Sequence, residues 1–385
     1  MRKIASITIL LLLLTVQALR ATPETGGLGL VYLHSAKTLP KGYLEFFGHT
    51  RYFGKVANFG AGQKAYTLWN VRGMASFNYG INPHIEAALS PIFYQDTNRG
   101  DKAFNFIDDI FLSLKVGSYS GFESPFVYGG MLGIRLPTGR IHNIIYEPYS
   151  SEHISLGITG LLSYFRNVAF PEEGWSVHGN LGYWNHNDVG TNLAGHAEDP
   201  TPQSMTSEIT GGAGIFFPAG SFDFSAEFNG RYFLTRPPAT AYSREFVSYL
   251  TAGVYYKPYR YLTFEAALDI RFYSGDDLTE YETSGKNHLP APPTKDFPNY
   301  PSWRGLLGVK IAILPTSLYK SEDALLRRTA RDRRVILEKM LEEQKDPANA
   351  EAKLYRIRSE RQKVEEELER LRKLLEAEKE KNKNP

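Results

Sequence analysis

The chain has 385 residues, with 44 Lys or Arg against 42 Asp or Glu. The resulting net charge of +2 gives no reason to expect a nucleic-acid partner. With no cysteine, it has no disulfide, no zinc thiolate and no thiol nucleophile.

The N-terminus reads as an export signal. Arg2 and Lys3 precede an apolar run from Ile9 to Leu14, and Leu19 and Ala21 occupy the two cleavage positions. Residues 1–21 are therefore expected to be a signal peptide. The run is too short to cross a bilayer as a helix, and no later window holds eighteen consecutive apolar residues. Residues 22–42 follow, with Leu28, Leu30 and Tyr32 alternating in GGLGLVYLHSAKTLP. That alternation leaves room for an extra strand. Parity of the strands downstream instead assigns the piece to a periplasmic lead-in or to a short segment tucked into a barrel mouth.

From residue 43 the text repeats one unit, ten to fifteen alternating residues and then a turn. In YLTFEAALDIRFYSGDD, from Tyr261 to Asp277, one face carries Leu262, Phe264, Ala266, Leu268, Ile270 and Phe272. The other carries Thr263, Glu265, Ala267, Asp269, Arg271 and Tyr273. A period of two is that of an extended strand, whose side chains leave a pleated backbone on opposite faces. Twelve such strands are expected, near 43–54, 66–80, 84–95, 105–117, 125–137, 151–165, 175–187, 205–217, 221–235, 244–257, 260–273 and 303–314. No helical pattern separates them, so neighbours should pair antiparallel.

The connections alternate in length. Short ones include Asn82-Pro83, Tyr119 to Glu123, Pro218 to Gly220 and Lys257 to Tyr259, with Asn167 to Gly174 on the same side. Long polar ones run from Lys55 to Lys64, Asp96 to Phe104, Gly139 to Ser150, Asp188 to Met205, Arg236 to Ser243 and Ser274 to Ser302. Short turns at one end and long loops at the other are how an outer-membrane barrel divides its two sides. Tyr, Phe and Trp at strand ends suit the two membrane interfaces. A soluble β-sandwich alternates in the same way, but it does not sort its loops by parity.

The closing strand, Arg304 to Leu314, sets Gly308 three residues before Ile311 and five before Ile313. At this point the chain resembles bacterial outer-membrane β-barrel proteins, especially a porin-like barrel with a periplasmic C-terminal region. Leu306 stands where the assembly pattern of that class prefers a polar residue, so the match is partial. The resemblance implies an all-β transmembrane antiparallel barrel of about twelve strands over residues 43–318, in the outer membrane, and it transfers no active-site residue.

Residues 319–385 are a second material. They hold 19 Lys or Arg and 16 Asp or Glu, and only two aromatics, Tyr319 and Tyr355. Leu354, Ile357, Val364, Leu368, Leu371 and Leu375 follow a heptad seam that Arg361 interrupts. Asp346-Pro347 suits a helix start, and Leu326, Ala330, Leu337 and Leu341 mark an earlier helix. The expectation is a charged α-helical coiled-coil tail in the periplasm. It pairs with itself, with another subunit or with a periplasmic protein through residues 322–382, or else stands as a solvated helix.

Phasing the alternation places Glu45, His49, Arg51, Arg72, Glu86, Asp109, Lys115, Arg135, His178, Asp223, Glu227, Arg231, Glu265, Asp269, Arg271, Arg304 and Lys310 in the lumen. Interleaved opposite charges there either pair across the lumen or line a narrow polar pore. His153, Ser155 and His178 are the residues nearest to a nucleophile and base, but no hydrolase motif surrounds them. The acidic loops around Asp188 and Asp276 lack the spacing of a calcium loop, and no metal or cofactor is expected. Two functions follow. One is a passive channel or transporter for small polar solutes, with the Ser274 to Ser302 loop folding inward as a constriction. The other is a structural anchor or scaffold whose tail reaches partners.

Overall fold

The computed structural model describes residues 22–58, 65–98, 102–121, 124–167, 173–191, 201–281 and 299–316, with scattered positions beyond. Thirteen strands are formed: β1 (Leu44–Asn58), β2 (Ala65–Asn82), β3 (Ile85–Asn98), β4 (Lys102–Phe106), β5 (Ile110–Ser120), β6 (Phe126–Leu136) and β7 (Ser155–Phe165). They continue as β8 (Ser176–Asn185), β9 (Ser207–Ala219), β10 (Phe222–Thr235), β11 (Val247–Tyr259), β12 (Leu262–Ser274) and β13 (Trp303–Leu314). Every pairing is antiparallel, each strand lies beside its sequence neighbour except that β5 pairs with β3 in place of β4, and β13 pairs with β1 to close the sheet. Twelve strands make the wall. The stretch expected as one strand over 105–117 divides into β5, which pairs with the near part of β3, and β4, which extends only β3's far end.

The wall inverts the burial rule of a water-soluble protein. On β12, Phe264, Leu268 and Ile270 are exposed, whereas Thr263, Glu265 and Asp269 are buried. On β10, Phe224, Phe228 and Tyr232 are exposed, and Asp223, Ser225 and Glu227 are buried. Contiguous apolar surface on this scale cannot face water, and lipid is the medium that fits it. Closing the ring leaves no strand edge, so the backbone of the wall is paired within the sheet.

The largest departure from the sequence expectation lies inside. By sequence, residues 22–42 are a periplasmic lead-in or a short segment tucked into the barrel mouth; in the structure residues 22–39 enter from the short-turn end and fill the lumen. They form no strand, and one isolated bridge joins Gly29 to His34. Leu30, Val31 and Leu33 are buried against Phe216, Tyr255 and Leu306, and Ala36 packs with Val127, Met131, Leu161 and Phe165. Gly26 and Gly27 have φ of 84° and 87°, a region open to glycine. A Cβ on Gly27 would lie 2.5 Å from Glu86 Oε1. A side chain there would have to move the Glu86 carboxylate and would strain the backbone at this positive φ.

Beyond residue 316 the described positions 333, 334, 359–361, 363, 364 and 367 are helical. The other five seam residues lie outside the described residues, so the coiled coil stays an expectation. The same holds for residues 1–21 and for 282–298 of the loop expected to constrict the lumen.

The lipid-facing assignment makes Leu268 and Asp269 opposite in kind. Leu268→Arg should lower the stability of the barrel in lipid vesicles by roughly 2–4 kcal/mol. Denaturant unfolding of the refolded protein checks this, and an unchanged midpoint would contradict the phasing.

Candidate pore interior

The fifteen charged residues assigned to the lumen from the alternation are all buried or half-buried. Glu45, Arg51, Arg72, Glu86, Asp109, Lys115, Asp223, Glu227, Glu265, Asp269, Arg304 and Lys310 are buried, and Arg135, Arg231 and Arg271 are half-buried. His49 and His178 face inward with them.

Most of these charges pair within the wall. Lys115 Nζ meets Glu86 Oε1 at 3.0 Å, and the two are direct cross-strand partners. Arg304 Nε meets Asp269 Oδ2 at 2.8 Å, again across a register pair. Arg135 binds Asp109 at 2.5 Å, and Lys310 lies 3.7 Å from Glu45. Two pairs use a partner that the sequence reading did not put in the lumen: Lys257 with Asp223 at 2.6 Å, and Glu208 with Arg231 at 3.4 Å. Opposite charges on facing strands stabilise a sheet, and like charges destabilise it.

One register pair breaks the pattern. Arg51 on β1 is directly opposite Arg72 on β2. Two buried guanidinium groups side by side require anions, and both anions come from outside the wall. Glu24 Oε1 accepts from Arg51 Nη1 at 2.8 Å and from Arg72 Nη2 at 2.7 Å. Glu147 Oε2 accepts from Arg51 Nη2 at 2.5 Å and from Arg72 Nη1 at 2.8 Å. Glu24 belongs to the N-terminal segment. Glu147 belongs to the connection between β6 and β7, which folds inward from the long-loop end.

That connection is held inside by packing and by other loops. Ile145 and Tyr146 pack on Phe53, and Tyr149 packs on Phe233 and Ala241. Ser243 Oγ donates to the Glu147 carbonyl at 2.8 Å, and Asn143 Oδ1 accepts from the Tyr242 amide at 3.0 Å. Asn299 and Tyr300, at the described end of the 274–302 loop, are buried as well, while 282–298 lie outside the described residues. Burial raises the Glu147 carboxyl, but Arg51 and Arg72 outweigh burial and hold it at about 2.

The N-terminal segment is tied by its backbone to wall carboxylates and amides. Glu227 accepts the amides of Val31, Tyr32 and Leu33 at 2.6, 3.0 and 3.0 Å. Glu86 accepts those of Leu28 and Leu39 at 3.0 and 2.6 Å. Asn180 both accepts from the His34 amide and donates to the His34 carbonyl. Tyr32 donates its hydroxyl to Asp269 at 2.5 Å. Apart from the Gly29–His34 bridge and a few bonds within the segment, its amides are met by side chains of the pore wall.

Above the segment lies a cavity of about 210 Å³. Arg51, Arg72, Arg135, Arg231 and Arg304 line it, together with Glu24, Glu208, His34 and His186. The histidine–serine geometry differs from the sequence expectation. His178 hydrogen-bonds Ser163 and Ser176, while Ser155 Oγ lies 3.3 Å from His186 Nδ1. His186 Nε2 is 3.7 Å from Glu208. Ser155 is buried and does not line the cavity.

At the long-loop end, Glu245 accepts from Asn299 Nδ2 at 3.2 Å. Burial pushes its carboxyl up to about 7; the Asn299 contact opposes this and the Asp277 charge adds to it. A raised carboxyl favours the protonated folded form, so its contribution is complete below the ordinary carboxylate range and is lost between about pH 4.5 and pH 7. Papain cleavage within 236–246, taken relative to Glu245→Gln at each pH, should increase across that window and level off above it. A flat ratio would contradict the assignment.

No protein-family model matches the chain, and no curated protein matches it. Among solved structures it is similar to a porin (8% identity, covering 70% of this chain and 100% of the porin, TM-score 0.29). It is also similar to the β domain of the Bordetella autotransporter BrkA (10% identity, 71% and 100% covered, TM-score 0.33). A third is the outer-membrane channel DcaP of Acinetobacter baumannii (9% identity, 70% and 96% covered, TM-score 0.28). Independently of these likenesses, a closed ring of twelve antiparallel strands with apolar side chains outside and paired charges inside is the architecture of an outer-membrane β-barrel protein.

Proposed function

We propose that the protein is a passive outer-membrane channel for small polar solutes that is closed at rest by residues 22–39. The observation that carries this reading is the chemistry of the wall beneath the segment. Glu86, Lys115, Asn180, Glu227 and Asp269 face inward from five different strands, and the segment occupies them mainly through its own backbone. A wall of that kind hydrates once the segment leaves, and a polar lumen is what a solute path needs. A barrel serving only as an anchor has no need of such a lining, because apolar side chains fill a small lumen as well.

Departure is costly. Leu30, Val31 and Leu33 are each buried, and each contributes about 1.5–3 kcal/mol to keeping the segment docked. The intact chain should therefore open rarely. The charged tail belongs on the periplasmic side in this reading, since short turns and both ends of an even-stranded barrel share one face.

Leu30→Ala combined with Leu33→Ala weakens the docking and should raise the frequency of conductance steps in planar bilayers by at least tenfold. Val31 Cγ2 lies 3.2 Å from the Cβ that Gly253 would carry, within reach of a disulfide in a chain without native cysteine. Adding Val31→Cys and Gly253→Cys to the weakened variant should silence it when oxidised, and a reductant should restore the steps. A folded, weakened variant without any steps would defeat the channel reading and favour the second one, a barrel that anchors the charged tail for partners.

A further inference from the structure

We infer that Arg51 and Arg72 form a binding site for a small solute carboxylate or phosphate, and that Glu24 occupies it as an internal ligand in the closed state. The inference rests on the channel reading only in that a solute must reach the lumen.

Arg51 and Arg72 are a like-charged register pair. Elsewhere the wall's directly facing charges are opposite in sign, Glu86 with Lys115 and Asp269 with Arg304. Arg135, Arg231, Lys257 and Lys310 likewise find their carboxylates on the wall or at its rim. Among the described residues, only at Arg51 and Arg72 does the wall place two guanidinium groups together and supply no acid. The acids arrive on the two elements that close the lumen, one from each end. Removing the N-terminal segment therefore takes one carboxylate from between the two arginines and leaves two converging Nη donors, at 2.8 and 2.7 Å from the vacated oxygen position. Arginine donors in this arrangement match a carboxylate or phosphate.

Two further observations point to a ligand. The Nε atoms of both arginines are buried and lack a hydrogen-bond partner among the described residues, so each keeps a donor in reserve. Both side chains also line the 210 Å³ cavity, which has room for a few heavy atoms beside Glu24. With Glu24 gone, Glu147 alone faces two buried guanidinium groups, so a second anion is favoured over an empty position. A solute anion that takes the place of Glu24 also releases the segment's only acidic anchor. The solute would thus loosen the segment that excludes it.

Lower in the lumen, Glu227 and Glu265 have no wall cation as a direct register partner, opposite Gly214 and Thr251 and opposite Tyr255 and Gly308 respectively. They oppose anions there.

Calorimetric titration of succinate into full-length protein in detergent tests it, with butane-1,4-diol as the uncharged control. Glu24→Gln removes the internal carboxylate, and it should bind succinate at least tenfold tighter than the unsubstituted chain while the diol gives no heat. Adding Arg51→Gln and Arg72→Gln should abolish binding. If that variant does not fold, Arg51→Lys with Arg72→Lys keeps the charge, loses the fork, and should weaken binding severalfold. Equal succinate affinity with and without Glu24→Gln, or binding that survives both arginine substitutions, would overturn the site. Because binding is read without current, a silent but succinate-binding protein would count against the channel reading alone.

Discussion

In hydrocarbon, a backbone N–H or C=O without a partner costs several kcal/mol, and no water is present to supply one. A sheet can meet that demand only by closing on itself. The pairing of β13 with β1 is therefore the contact on which the other features depend. Once the ring is closed, the pleat sends alternate residues to lipid and to the lumen. The outer set must be apolar, and the inner set is free to be charged. The burial of Asp269 beside an exposed Leu268 is one instance of a rule that runs around the ring.

A charged lumen then has to be satisfied. Paired carboxylates and bases meet most of that need within the wall, but three features call in elements from outside it. Glu227 and Glu86 take backbone amides from residues 22–39, and the Arg51–Arg72 pair takes Glu24 and Glu147. The segment and the inward loop are thus ligands of the wall, bound as much by charge and hydrogen bonds as by the packing of Leu30, Val31 and Leu33. Their positions follow from where the wall leaves polar groups unmet.

The wall was legible in the sequence because a two-residue period survives small errors in strand ends. The inward phase of Glu45, Arg51, Arg72 and Asp269 follows directly from it. Glu208 also carries that signal within the ninth strand's alternation, whereas Pro258 draws Lys257 into a turn although the strand runs on to Tyr259. Glu24 and Glu147 carry no such signal, since each sits in irregular chain whose place depends on a charge it meets 27 to 96 residues away. The alternation of Leu28, Leu30 and Tyr32 mimics a strand. Gly26 and Gly27, with their positive φ, turn the chain instead into the lumen, where side chains replace a ladder. The heptad seam of the tail is the converse case, a clear pattern lying mostly outside the described residues.

The central claim is that residues 22–39 sit inside the closed ring and are held there by the wall. Amide hydrogen exchange on full-length protein in outer-membrane vesicles tests it most directly. The amides of Leu28, Val31, Tyr32, Leu33 and Leu39, each given to a wall carboxylate, should exchange as slowly as those of the flanking strands. Exchange of these five at the rate of an unstructured peptide, with the strands still protected, would contradict the account.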